Sequence, residues 1–153
     1  SGMTSEELAR GVRGARLVHL ATHGLLDSRA PLFSGLVASD SLVTVTDIMD
    51  WDMQADLTVL SACQTGLGGF QGGRGDDMVG LSRAFQFAGS RSVLASLWKV
   101  SDEATSEWMA AFHRELAAGT PPGTAARKAG LKLREKYPHP FFWAPFVLVG
   151  SGD

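Results

Sequence analysis

Cys63 is the single cysteine of the chain. It closes a strand-like run, Leu57-Thr58-Val59-Leu60-Ser61-Ala62-Cys63. A second apolar run, Ala15 to Thr22, closes in the same way on His23-Gly24. In a parallel α/β sheet, ligands and reacting groups gather at the carboxyl ends of the strands. Two neighbouring parallel strands would therefore bring His23 and Cys63 to one edge, although forty positions separate them. A thiol beside an imidazole is the minimal set for nucleophilic attack on a carbonyl. The imidazole helps to form the thiolate, since a free thiol has a pKa of about 8.5.

A strand-end cysteine alone is most often a small buried hydrophobe. Here a glycine-rich segment follows it, leaving room for a substrate, and a histidine ends a candidate neighbouring strand. Of the four histidines, His19 falls inside a strand, where a hydrogen-bonded core role is expected. His113 sits mid-helix, and His139 lies in a turn between two prolines. Only His23 is followed by glycine at a strand end. Gly24 has no side chain, so its N–H can approach a ligand closely. With the Cys63 N–H it could form an oxyanion hole. Asp76 and Asp77 precede a predicted helix, and Asp102 follows a predicted strand. Capping accounts for such positions, while a carboxylate at the active edge could also select a basic substrate side chain.

Composition narrows the function further. The 153 residues fit one domain with a real core. A formal net charge of -2 lacks the basic footprint of a nucleic-acid binder. One cysteine cannot build an internal disulfide framework and suits a reducing cytoplasm. No apolar run approaches the roughly 20 residues needed to span a bilayer, and the polar start Thr4 to Arg10 does not read as a signal peptide. Ser1-Gly2 reads as a tag-removal remnant, leaving 3–153 as a single domain. No Cys, His or carboxylate set has metal-ligand spacing. The glycines from 66 to 75 lack the Gly-Lys-Ser/Thr of a phosphate loop, so neither metal nor cofactor is implied.

The elements that must position the pair follow from periodicity and punctuation. Thr4 or Ser5 can cap a first helix. Residues 16–22 read as a buried strand and 24–40 mostly as loop, with a short strand over 32–38 pairing Val43-Thr44-Val45. Thr46 can cap a short helix over 47–51. Residues 57–62 form the second core strand. Residues 64–77 hold six glycines in fourteen positions, which predicts a flexible loop rather than a regular element. A helix is expected over 78–88, a third strand over 91–98, and a long helix over 102–118 behind Ser101. Another helix spans 125–137 and a last strand 146–150. This alternation predicts a three-layer α/β/α fold around a mainly parallel sheet, with Phe141, Phe142 and Trp143 in the core or plugging a sheet end.

These motifs resemble the CHAT domain, a bacterial caspase-like family often fused to TPR repeats. Ala21-Thr22-His23-Gly24 is similar to its histidine motif, and Leu60 through Gly66 to its nucleophile motif. Gly80-Leu81-Ser82-Arg83-Ala84-Phe85, Ala88 to Val93, Ser96 to Val100 and His139 to Phe146 continue the likeness, which covers about residues 15 to 150. The resemblance implies a cytoplasmic cysteine endopeptidase acting on protein or peptide substrates. Cys63 would attack, His23 would move the proton, and Gly24 and Cys63 would hold the oxyanion. It also implies that Trp98 to Asp102 lines the pocket for the residue before the cut. Asp102, with Asp76 and Asp77, would then bind substrate. Family domains usually begin well upstream, so the chain is expected to be the C-terminal portion of a larger protein, with a TPR or other sensor region in the parent. An unpaired edge on the histidine strand would favour pairing between copies. The competing expectation is a catalytically silent interaction module with the same fold.

Overall fold

The computed structural model describes residues 2–27, 30–61, 63–66 and 75–152, with the backbone alone for 63–66 and 75–79. In chain order the elements are α1 (Ser5–Val12), β1 (Leu17–Leu20), β2 (His23–Leu26), a 3-10 turn (Pro31–Phe33), β3 (Gly35–Val37), β4 (Leu42–Thr44), α2 (Val45–Met49), β5 (Leu57–Leu60), β6 (Cys63–Gly66), α3 (Gly75–Phe87), β7 (Ser92–Ser96), α4 (Asp102–Ala117), α5 (Pro122–Lys136), α6 (Pro140–Trp143) and β8 (Phe146–Gly150).

Among the described residues, four strands form the central sheet in the order β1-β5-β7-β8. The first three are parallel and β8 is antiparallel to β7. Side chains alternate between its two faces, as strand geometry requires. Val18, Leu20, Leu60, Val93 and Ala95 point into a cluster with Leu8 and Val12 of α1, Ile48 of α2 and Leu81 and Phe85 of α3. Leu57, Val59 and Leu94 point the other way, against Trp108, Met109 and Phe112 of α4 and Ala125, Ala129 and Leu133 of α5. Helices therefore cover both faces, giving the expected α/β/α layers. Burying a side chain such as Phe112 or Leu94 stabilises by about 2 kcal/mol, so each layer contributes substantially to holding the strand ends in place.

A second, smaller sheet runs β4-β3-β2-β6. It departs from the sequence reading in three places. The strand expected over 16–22 is shorter, β1 at Leu17–Leu20, because the chain changes sheets between Leu20 and His23. Residues 24–26, expected in loop, continue from His23 as β2. Gln64, Thr65 and Gly66, also expected in loop, belong to β6, since a strand needs only a neighbour of matching register and β2 supplies it. Residues 67–74, the densest part of the predicted glycine loop, lie outside the described residues. β3 and β4 pair antiparallel, as expected, and pack so closely that a Cβ on Gly35 would overlap the Val43 carbonyl.

Caps explain most helix starts. Thr4 and Glu7 form a reciprocal capping box at α1. At α2 the cap is Thr44 rather than Thr46, because Asp47 lies three residues on and completes the box. Ser101 caps α4 by accepting from the Ala104 N–H. α3 begins at Gly75, three residues earlier than expected. α5 begins at Pro122, where the fixed φ of proline suits a first turn.

Candidate active site

β1 and β5 carry the chain into the site side by side. Their partners are forty positions apart, Leu17 with Leu57 through Leu20 with Leu60. The Ser61 N–H then donates to the Leu20 carbonyl at 3.1 Å. Both strands leave the central sheet in step and re-pair as β2 and β6 with the same offset, so His23 is the register partner of Cys63 and Gly24 that of Gln64. His23 and Cys63 therefore open strands of the second sheet rather than closing strands of the first. The correction leaves their adjacency intact and places both at the seam between the sheets.

The exposure pattern of β2 is alternating. Gly24 and Leu26 are buried, and Leu26 joins the core cluster with Leu36 and Val43. His23 lies on the opposite, exposed face. Gly24 sits between β3 and β6, opposite Leu36 on one side and Gln64 on the other. The side chain of Cys63 lies outside the described residues.

The remaining predicted site residues divide. Asp102 is the first residue of α4, exposed at the carboxyl end of parallel β7 and so on the same edge of the central sheet as the seam. Asp76 and Asp77 fall in the first turn of α3 rather than before it, and their side chains are outside the described residues. Between Asp102 and β7, Trp98 stacks on Phe141 with centroids 6.3 Å apart and donates from Nε1 to the Phe141 carbonyl at 3.0 Å. Phe142 stacks on Tyr137, and Trp143 packs against the α4–α5 cluster. Phe141 thus lies against the segment that follows β7, while Phe142 and Trp143 pack on the end of α5 and the α4–α5 cluster. His139 caps α6 by accepting from the Phe141 N–H.

Sequence reasoning missed one constellation. His19 is exposed on β1 rather than in the core, because β1 is the edge strand among the described residues. Its Nε2 lies 2.8 Å from Ser61 Oγ and its Nδ1 3.1 Å from Nε2 of His113 on α4. Partial burial of the rings lowers the pKa of both imidazoles below the ordinary value of 6.5, and a charge on His113 lowers that of His19 further. The signal was present in part: His19, Val59 and Ser61 share one sheet face by alternation. Which helix covers that face was not encoded locally.

Among the described residues no helix is long and apolar enough to cross a membrane, and no three His, Cys, Asp or Glu side chains cluster as a metal site would need.

The sequence model of the CHAT domain matches residues 2–151. Tetratricopeptide repeat protein 28 of Mus musculus is 33% identical over 112 residues, which is 72% of this chain and 4% of that protein. The Homo sapiens protein of the same name is 32% identical over the same length. The chain thus spans about 4% of the length of the curated relatives it matches.

Proposed function

The chain belongs to the CHAT domain family, a caspase-like family associated with TPR-containing proteins, and on that premise we propose that it is a cysteine endopeptidase working through His23 and Cys63. The observation that carries this reading is the β2–β6 register, in which the two residues are partners. Neighbouring strands lie about 4.8 Å apart, a spacing a thiol and an imidazole can bridge. Exposure of His23 leaves a side for substrate to approach.

In the proposed reaction the Cys63 thiolate attacks the peptide carbonyl carbon and its electron pair forms the new C–S bond. The carbonyl electrons move to oxygen, which Gly24 and Cys63 are proposed to stabilise through the backbone. Collapse expels the amine, which takes a proton from the His23 imidazolium. Water then hydrolyses the thioester, with His23 as general base. Asp102 is proposed to favour a basic residue before the cut, and Asp76 and Asp77 to contribute to the same acidic surround.

A reducing cytoplasm suits a catalytic thiol. The relatives named above are mammalian, so a bacterial source, which the resemblance implies, is not established by family membership. That these relatives are tetratricopeptide repeat proteins supports a TPR region elsewhere in the parent protein. β1 pairs on its β5 side alone among the described residues, and pairing of that edge with a second copy is part of the proposal; sedimentation across protein concentration checks it.

Cleavage of a peptide library by the chain, by Cys63→Ala and by His23→Ala tests the reading. Both substitutions should abolish turnover, by about a thousand-fold or more. Binding of protein partners without turnover in any form would favour the silent interaction module.

A further inference from the structure

Ser61, His19 and His113 form one hydrogen-bonded chain on the α4 face of the central sheet. Ser61 Oγ meets His19 Nε2 at 2.8 Å, and His19 Nδ1 meets His113 Nε2 at 3.1 Å. The imidazoles stack with centroids 5.0 Å apart at 26°, and Phe112 lies edge-on to His113 at 5.5 Å. The chain touches both strands that lead to the candidate pair. His19 precedes His23 by four residues on one, and Ser61 precedes Cys63 by two on the other.

A proton count sets when this chain can exist. A neutral imidazole has one donor and one acceptor nitrogen, and an imidazolium has two donors. With both rings neutral, Ser61 donates to His19 Nε2 and His19 Nδ1–H donates to His113 Nε2, or every bond runs in reverse. One extra proton is also accommodated: His19 donates at both ends, and Ser61 Oγ and His113 Nε2 accept. A second extra proton sets two N–H groups against each other and brings two positive charges to stacking distance. The chain therefore survives none or one extra proton and breaks with two.

Several other charged groups on the packed elements are paired away from this hydrogen-bonded chain. Arg16 pairs with Asp56 at the far end of β1 and β5. On α4, Glu107 is held by Lys136 and Glu115 by Lys128, both from α5. Arg114 is exposed beside His113. Apart from burial, the charge that acts on His19 is that of His113.

We infer that Ser61, His19 and His113 are positioning residues for the seam that carries His23 and Cys63, holding it while at least one imidazole is neutral and releasing it when both are charged. This inference rests on the reading of His23 and Cys63 as the reacting pair. It adds an acid-sensitive control to that site.

The test follows histidine ring signals by nitrogen-15 NMR and Cys63 alkylation by iodoacetamide, from about pH 8 to about pH 5. Wild type, His113→Gln and Ser61→Ala are compared. Glutamine keeps a polar partner without the titrating charge, so the His19 midpoint should rise by roughly half a pH unit. The acid-side fall in Cys63 reactivity should flatten, giving about three-fold faster alkylation at the acid end. Ser61→Ala should leave the imidazoles coupled yet flatten the same fall. An unchanged His19 midpoint in His113→Gln, or superimposable alkylation profiles in all three proteins, overturns the inference. The dyad reading fails separately, if His23→Ala leaves Cys63 alkylation unchanged.

Discussion

His23 and Cys63 are register partners at the first position of two parallel strands, and the forty-residue offset that joins them already operates one sheet earlier, where Leu20 pairs with Leu60. Adjacency in the second sheet is therefore inherited from packing in the first. Anything that loosens the β1–β5 ladder or the layers that clamp it will be felt at the seam.

Asp102 offers a test of substrate preference. It is exposed at the start of α4, so its removal should leave the fold intact. Asp102→Ala is expected to lower kcat/KM about ten-fold for substrates with Arg or Lys before the cut, while substrates with an apolar residue there are unaffected. Paired kinetics on two such peptides read the difference. Equal loss on both, or none on either, removes Asp102 from the specificity role.

Gly89 is the turn that feeds β7. Its φ is +114°, a region that side chains rarely adopt, and an added Cβ would overlap the Met53 carbonyl. The Met53 N–H in turn donates to the Ala88 carbonyl at 2.8 Å, so the two segments cannot easily separate. Gly89→Ala should cost about 2–4 kcal/mol, measured as a lower urea midpoint. Gly119→Ala is a useful companion, since Gly119 also has positive φ but open space around it. It should cost only about 1 kcal/mol.

Trp108 anchors α4 to the sheet. It is 2% exposed, and its ring lies 5.3 Å from Phe112 and 4.2 Å from Phe146. Its Nε1 has no hydrogen-bond partner among the described residues. Trp108→Ala should cost about 3–5 kcal/mol. Trp108→Phe loses volume but also removes an unsatisfied donor, so its cost should stay within about 1 kcal/mol. Chemical denaturation of both variants checks the contrast.

The two histidines of the α4 face predict a direction for stability against pH. Partial burial lowers both folded-state pKa values below 6.5. The unfolded chain therefore takes up protons first as pH falls, and the slope of unfolding free energy with pH is positive there. Stability should be fully present above about pH 6.5 and decline from there down through the folded values. His113→Gln should flatten that decline, measured by urea unfolding at a series of pH values. An unchanged decline would assign the loss to other groups.

How much of this was legible in the sequence depends on what each feature needed. Ser101 and the acidic turn behind it placed the start of α4 to the residue, and Phe146 to Gly150 read as a strand because β-branched and apolar residues run without interruption. The sheet change did not show. Which strands pair before and after the change is a tertiary fact. Thr46 looked able to cap α2, but the cap is Thr44, because Asp47 sits at the reciprocal position three residues on. Glycine count misled at residues 64–66 and 75–77, where register with β2 and a helix start outweigh local composition. The pairing of His23 with Cys63 was legible because both follow similar apolar runs, and parallel neighbours with equal offsets were the simplest way to pack them.

The most direct test of the central claim is the pH dependence of Cys63 alkylation in wild type and His23→Ala, made simple by the single thiol in the chain. A paired imidazole should bring the thiol midpoint well below the free value of about 8.5, and His23→Ala should return it toward that value. Coincident profiles in the two proteins, with a midpoint near that of a free thiol, would contradict the account.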